Sequence, residues 1–351
     1  MAELGDLVGR TADRLAEQQV GAVVVGLADG AAEIRGAGRA GGAASGPPGP
    51  DTLFEIGSIT KVFTALLLAR TVLAGDAALE EPLAGLLPGC TVPGRGGRRI
   101  TLQHLATHTS GLPRLPKGML LPALLNPRAA DPYAGCTADR LLDGLARTRL
   151  RSVPGRTFRY SNLGAGLLGL ALARRAGTDY EQLVRREVCL PLGLADTVVT
   201  PGAGGAGRLA GGHTANRRPA APWHLADLAG AGGLRSTGND LAAFLRAQLG
   251  GAPTDTAEAI VLTRQVEHRT SPFSWTHLGW SAHRLHPQQG GHLQVWHNGR
   301  TGGFASYAGF DPETGTAVAV LGNTGRSVDA AGAGLLRTLQ EAAAGRARDG
   351  Q

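Results

Sequence analysis

The sequence predicts an α/β plus all-α fold, in which an antiparallel sheet flanked by terminal helices carries a helical insertion. Strand patterns occur near both ends of the 351-residue chain, at 21–36 and 293–321, and helical patterns fill the middle. Strands from both ends can share one sheet only if the intervening segment is inserted into it. We therefore expect a sheet domain of residues 1–60 and 230–351, a helical domain of residues 61–229, and a functional site at their interface.

The first residues predict a helix followed by a β-hairpin. Residues 1–20 place leucine and valine at helical spacing among acidic residues. The strand-like runs 21–27 and 32–36 enclose Asp29-Gly30, a dipeptide typical of hairpin turns. A secretory leader has a basic start and an uninterrupted apolar centre, and a spanning helix needs about 18 apolar residues. Neither pattern is present, so the sequence predicts a cytoplasmic protein with no membrane partner.

The remaining helices and strands are predicted from the periodicity of apolar residues and from the prolines and glycines that separate the periodic segments. The run after residue 61 lacks glycine and proline and is apolar nearly all round, which predicts a buried helix. Helices are predicted at 62–70, 137–150, 162–176 and 328–344, and strands at 293–297, 303–310 and 316–321.

Composition limits the classes of function. The formal charge is +7, but the 35 basic residues are scattered and few aromatic residues accompany them, which disfavours a nucleic-acid partner. The three cysteines are far apart and lack the Cys-x-x-Cys spacing of zinc sites, which favours reduced thiols. We expect neither a metal nor an organic cofactor.

Lys61 follows Ser58 by three residues, at the start of the buried helix. Lysine is rare in this chain, with two residues among 35 basic ones, and unlike arginine it can lose its proton in a dry site. Residues three apart share a helix face, so the amine and the hydroxyl can touch. Unpaired N–H groups at a helix start can also stabilise an oxyanion. Ser58 is therefore a candidate nucleophile, and Lys61 is its candidate base.

Two further motifs stand at strand ends. Tyr160 and Asn162 belong to a Tyr-Ser-Asn turn before an apolar helix, and a tyrosine hydroxyl near a cation can shuttle protons. His297, Gly299 and Arg300 belong to a glycine-rich turn, where small residues let a substrate approach backbone N–H groups.

Each motif also has a purely structural interpretation. Ser58 would be a helix N-cap, Tyr160 an anchor beside an Asn162 cap, and His297 a structural histidine. Only the joint occurrence of the motifs, in order, favours the functional interpretation.

Taken in order, Ser-x-x-Lys at 58–61, Tyr-x-Asn at 160–162 and His-x-Gly at 297–299 resemble the motifs of one family. This is the serine β-lactamase-like family of class C β-lactamases, penicillin-binding proteins, family VIII esterases and D-aminopeptidases. The stretch Leu-Ala-Thr-His-Thr-Ser-Gly-Leu-Pro at 105–113 also resembles the family, and the resemblance covers roughly residues 15–340. It implies the β-lactamase/transpeptidase-like fold.

The resemblance implies covalent acyl transfer. Ser58 would attack a carbonyl group, and Lys61 and Tyr160 would share the proton transfers. Asn162 would orient Lys61 and the substrate. The backbone N–H groups of Ser58 and Arg300 would hold the oxyanion.

The third motif departs from the β-lactamase pattern, because His297 stands where β-lactamases and transpeptidases have lysine. A histidine is mostly neutral near pH 7 and gives no fixed charge for a substrate carboxylate; Arg300 supplies one if its side chain turns inward. The sequence favours an esterase, amidase or transacylase acting on a small ester or amide, with β-lactamase or DD-peptidase activity as the alternative. A non-catalytic ligand-binding protein on the same fold is the hypothesis from another class, which the complete motif set disfavours.

Overall fold

The structure, a computed structural model, describes residues 2–44, 46–115 and 131–349. The helices of these residues are α1 (Ala2–Gln18), α2 (Thr60–Leu73), α3 (Leu83–Leu86), α4 (Leu102–Ala106), α5 (Ala138–Ala146), α6 (Asn162–Arg175), α7 (Tyr180–Val184), α8 (Ala203–Ala206), α9 (Gly238–Arg246), α10 (Thr254–Gln265) and α11 (Asp329–Asp349). Short 3-10 helices lie at Gly57–Ile59, Ala226–Ala231 and Pro287–Gln289, and π turns at Arg185–Cys189 and Ala247–Gly251. None of the described helices is both long and apolar enough to cross a bilayer.

Ten strands form two antiparallel sheets in the described part of the chain. They are β1 (Gly21–Ala28), β2 (Ala31–Gly38), β3 (Phe54–Glu55), β4 (Arg235–Ser236), β5 (His268–Ser271), β6 (Ser274–Thr276), β7 (Ser281–Arg284), β8 (Leu293–Arg300), β9 (Ala305–Asp311) and β10 (Thr316–Gly322). The large sheet has the order β2-β1-β10-β9-β8-β7-β6-β5, and β3 pairs with β4. Strands from both ends of the chain meet where β1 pairs with β10.

The predicted fold class is confirmed, with one omission in the strand assignment. The predicted hairpin forms, and both of its turn residues, Asp29 and Gly30, have positive φ angles of 53° and 76°. β8, β9 and β10 lie where three strands were predicted. β5, β6 and β7 were missed because they are three or four residues long and include polar, partly exposed runs such as His268–Ser271.

The central strands are buried on both faces of the large sheet. Val24 of β1 packs in a cluster with residues of α1 and α11. Its neighbours Val23 and Val25 point to the opposite face and join the main core, which contains residues of α2, α6 and α9. A strand covered on both faces has no polar side to expose, which explains the continuous apolar run of β1.

Helix α2 crosses the centre of the main core. Residues 60–69 are all buried, as the all-round apolar pattern predicts. The ring of Phe63 stacks on Phe244 of α9 with centroids 4.3 Å apart, and Phe244 also faces Trp280. Packing around Phe244 therefore holds the helix that begins at the candidate nucleophile.

We expect Phe244→Ala to lower the free energy of unfolding by about 3–5 kcal/mol, because it opens a cavity between α2 and α9. Phe273 is 60% exposed, so Phe273→Ala is a matched control that should change stability by less than about 0.5 kcal/mol. Urea unfolding followed by circular dichroism measures both. Equal losses in the two variants would contradict the assignment of Phe244 to the core.

Candidate active site

Ser58 lies in the helical turn between β3 and α2, where the backbone meets the end of β8. Gly57 has a φ of 50°, and a Cβ atom on it would come within 2.6 Å of the Arg300 nitrogen. A Cβ atom on Gly299 would lie 1.9 Å from the carbonyl oxygen of Ile56. Glycine at both positions therefore lets the nucleophile turn and the strand end touch, backbone against backbone.

The Ser58 and Lys61 side chains are in direct contact. Lys61 Nζ donates to Ser58 Oγ at 2.8 Å and to the carbonyl oxygen of Ala231 at 2.5 Å. Lys61 is only 3% exposed. Burial lowers the pKa of Lys61 and the charge of Arg114 adds to this, while Tyr160 opposes both through its charge and a hydrogen bond. The Ser58 side chain is thus paired with Lys61 rather than capping α2, which has no side-chain cap.

Tyr160 lies at the centre of a group of basic side chains. Lys61 Nζ is 5.0 Å from the centroid of its ring, and the guanidinium carbon of Arg114 is 5.3 Å from it. The rings of His108 and His297 have centroids 4.5 Å and 6.2 Å from that of Tyr160. The structure therefore brings together residues from three distant segments around one phenol.

Asn162 begins helix α6 but does not cap it. The cap is Ser161, whose Oγ accepts a hydrogen bond from the Gly164 nitrogen at 2.9 Å. The Asn162 nitrogen donates to the carbonyl oxygen of Arg114 at 3.0 Å. Its Oδ1 is buried and has no hydrogen-bond partner within the described ranges. The expected contact with Lys61 is not formed, because Lys61 is held by other groups.

His297 is buried in β8 beside Tyr160. Its Nδ1 lies 2.6 Å from the carbonyl oxygen of Asn298. Burial, followed by the charge of Lys61, lowers the pKa of His297 to about 3, against the hydrogen bond with Asn298. The side chain is therefore neutral at pH 7 and supplies no positive charge to a ligand.

Two backbone N–H groups at the junction of the nucleophile turn and β8 are those of Ser58 and Arg300. Arg300 lies opposite Ala305 in the β8–β9 ladder, and the next pair is hydrogen-bonded, since Thr301 N donates to Phe304 O at 3.0 Å. Hydrogen-bonded and non-bonded pairs alternate in antiparallel ladders, so the Arg300 N–H faces away from β9. Ser58 is the second residue of its helical turn, where N–H groups lack an intrahelical acceptor. Neither N–H group is therefore used by the regular hydrogen bonding of its own helical turn or ladder, and the Arg300 side chain is exposed.

A buried ion pair behind the site escaped the sequence analysis. Glu55 and Arg235 are joined at 3.4 Å, and each is at most 3% exposed. Glu55 Oε1 accepts from the Trp223 nitrogen at 2.8 Å, and Arg235 donates to the Trp223 carbonyl oxygen at 3.0 Å. The Trp223 indole packs on Gly302, where a Cβ atom would lie 2.7 Å from Nε1. The pair thus fixes Trp223 beside the turn that follows Arg300.

Two neighbours of Tyr160 were also missed. Arg114 follows the stretch at 105–113, and no pattern in the sequence pointed to it. His108 lies within that stretch, and the resemblance assigned no role to this histidine. In the part of the chain that the structure describes, no group of three or more His, Cys, Asp or Glu residues is placed to hold a metal. The three cysteines, Cys90, Cys136 and Cys189, form no disulfide in the described part of the chain.

Comparison with known proteins identifies the family to which this chain belongs. A family model described as Beta-lactamase matches residues 8–342. The chain belongs to the β-lactamase family.

Individual members of the β-lactamase family match to different extents. The D-alanyl-D-alanine-carboxypeptidase/endopeptidase AmpH of Escherichia coli K12 is 35% identical over 205 residues, which are 58% of this chain and 50% of AmpH. The chain thus spans about half the length of this relative. A β-lactamase of Pseudomonas fluorescens is 26% identical over 353 residues, covering 92% of this chain and 94% of that protein.

A solved structure shares the fold over nearly the whole chain. The β-lactamase/D-alanine carboxypeptidase of Pseudomonas syringae superposes with a TM-score of 0.82 at 23% identity, covering 97% of this chain and 99% of that one.

We expect the neutral state of His297 to make the protein acid-sensitive. Between about pH 6.5, the ordinary pKa of histidine, and about pH 3, the unfolded chain binds a proton at His297 that the folded chain does not. The free energy of unfolding therefore falls as the pH falls through this window. His297→Gln should make that fall less steep in urea titrations at pH 7, 5.5 and 4.5.

His286 is solvent-exposed, so His286→Gln is the matched control and should leave the pH dependence as it is in the unaltered protein. A His297→Gln protein that loses stability with acid as steeply as this control would contradict the assigned neutral state.

Proposed function

We propose that this protein is a serine hydrolase or acyltransferase that forms an acyl-Ser58 intermediate from a small ester or amide. The observation that carries the proposal is the 2.8 Å contact between Ser58 Oγ and Lys61 Nζ at a lysine that is almost fully buried. No acidic residue is among the groups that act on the pKa of Lys61. A neutral amine in this contact is a base for the hydroxyl proton.

Acylation would proceed by addition and elimination. The bond between Ser58 Oγ and the carbonyl carbon forms as the hydroxyl proton passes to Lys61 Nζ. The carbonyl oxygen takes the electron pair and is bound by the N–H groups of Ser58 and Arg300. The carbonyl double bond then re-forms and expels an alcohol or amine, which receives the proton from Lys61 through Tyr160.

Deacylation would use the same groups in reverse. Water, or another acceptor with an O–H or N–H group, gives its proton to Tyr160 or Lys61 and attacks the acyl carbon. The bond to Ser58 Oγ breaks, and the oxygen recovers its proton. Asn162 would take part by orienting the substrate amide or ester; its buried Oδ1 has no hydrogen-bond partner among the described residues.

The neutral state of His297 supports an esterase- or peptidase-like preference. The lowered pKa of His297 leaves its imidazole uncharged at pH 7, whereas a substrate carboxylate is held best by a fixed cation. We therefore place small uncharged esters and amides first among the substrates.

Activity on β-lactams or on D-alanyl peptides is the second candidate. It is favoured by the names of the relatives, which include a D-alanyl-D-alanine carboxypeptidase and β-lactamases. The exposed Arg114 and Arg300 are cations near Tyr160 and the strand end. Either one would serve a substrate carboxylate in place of the missing lysine.

We also propose the division into a sheet domain of residues 1–60 and 230–351 and a helical domain of residues 61–229, with the active site at their interface. The positions of the reacting groups support it. Ser58 and His297 belong to the first set of residues, and Lys61 and Tyr160 belong to the second.

A fluorophosphonate should label Ser58 and nothing else of comparable reactivity. Intact-mass spectrometry is expected to show one adduct per chain, and peptide mapping should place it on Ser58. Ser58→Ala should abolish the adduct, and Lys61→Arg should slow its formation at least about 100-fold, because arginine stays protonated.

Ser327 is exposed and distant in sequence from the motifs, so Ser327→Ala is the control and should be labelled like the unaltered protein. A protein that stays unlabelled at high reagent concentration would favour the non-catalytic binding alternative.

Turnover of a short-chain nitrophenyl ester should exceed that of a chromogenic cephalosporin in kcat/KM. The physical reason is that His297 offers no fixed positive charge to pair with the cephalosporin carboxylate. The ester is uncharged and needs no such partner. Both reactions are followed by absorbance with Ser58→Ala as the blank. A higher kcat/KM for the cephalosporin would reverse the order of the two candidates.

A further inference from the structure

We propose that His108 is a positioning residue that clamps Tyr160 in place for proton transfer. The clamp consists of the backbone carbonyl and the imidazole Nδ1 of His108. The inference rests on the proposed function, since it concerns how the phenol of the same site is held.

His108 accepts hydrogen bonds from the two residues that precede and follow Tyr160 in the sequence. The carbonyl oxygen of His108 accepts from the Arg159 nitrogen at 2.7 Å, and its Nδ1 accepts from the Ser161 nitrogen at 3.3 Å. The residues before and after Tyr160 are thus both attached to one residue. The imidazole also packs against the Tyr160 ring, with centroids 4.5 Å apart and planes inclined by 40°.

The clamp requires a neutral imidazole. Nδ1 can accept the Ser161 N–H only while it carries no proton, so the neutral ring holds its proton on Nε2. Burial, the largest cause, keeps the pKa of His108 well below its usual value. The buried position of His108 beside Tyr160 therefore preserves the acceptor that holds Tyr160.

The environment of the His108 Nε2 atom indicates that the residue does more than fill space in the core. It is buried and has no hydrogen-bond partner among the described residues, although a buried N–H without a partner is costly. The backbone of His108 is also strained, with a φ of 57° in the left-handed region, where residues other than glycine are uncommon. Buried unpaired groups and strained residues concentrate at functional sites.

The test compares His108→Asn with His108→Leu, two side chains of nearly the same shape. Asparagine tolerates the left-handed region and offers an oxygen close to the Nδ1 position, whereas leucine offers no acceptor. We expect His108→Leu to lower the rate of Ser58 acylation by about tenfold or more with little change in KM, since small displacements of a catalytic group are costly. His108→Asn should restore most of the rate.

A double-mutant cycle separates positioning from general destabilisation. If His108 acts through Tyr160, His108→Leu should slow acylation in the unaltered protein but not in Tyr160→Phe. The same loss in both backgrounds, or equal rates for the asparagine and leucine variants, would overturn the clamp. If His108→Leu does not fold, as judged by thermal unfolding, His108→Gln replaces it, because its oxygen lies one bond further out.

The cycle also distinguishes failure of the clamp from failure of the proposed function. Without any Ser58 adduct in the unaltered protein, the proposed function fails and the clamp fails with it. A normal adduct in the unaltered protein together with full acylation in His108→Leu overturns the clamp alone.

Discussion

The site depends on one constraint: the amine of Lys61 is buried, and no carboxylate among the described residues acts on its pKa. Removing an ammonium group from water is unfavourable, so the low-dielectric surroundings of α2 favour the uncharged form of Lys61. Its hydrogen-bonding capacity is still used by Ser58 Oγ and by the carbonyl oxygen of Ala231. The apolar helix that stabilises the core therefore also carries the lysine that we propose as the base for Ser58. The first turn of α2 thus contributes both to the buried core and to the proposed reactive group.

Close backbone contact provides the second part of the site. Gly57 and Gly299 let the nucleophile turn approach the end of β8 to a distance that any side chain would prevent. This contact brings the Arg300 N–H next to Ser58, while the alternation of the antiparallel ladder leaves that N–H unpaired. Ser306 reinforces the junction, because its Oγ donates to the carbonyl oxygen of Ile56 at 2.7 Å. The proposed oxyanion site thus lies where the nucleophile turn meets the end of the sheet.

The charges around the site determine which molecules it suits. Burial lowers the pKa of Lys61, His108 and His297, and exposed arginines add positive charge at the edge of the site. The proposed preference for an uncharged carbonyl compound rests on the neutral state of His297. Membership of the β-lactamase family fixes the class of fold, but the histidine in the third motif separates this chain from members that carry lysine there.

The sequence by itself determined the elements whose pattern is local: the terminal helices, the hairpin around Asp29-Gly30, α2 and the strands β8 to β10. It also supplied the three motifs, because their residue types and order are written along the chain. Only the tertiary structure decided which groups meet. The Glu55–Arg235 pair joins residues 180 positions apart, and His108 is hydrogen-bonded beside Tyr160 to Ser161, 53 positions away. The group that accepts a hydrogen bond from Lys61 at Ala231 is the backbone carbonyl oxygen. Every residue has such an oxygen, so the residue type does not reveal the contact. Such contacts depend on packing, and no local pattern encodes them.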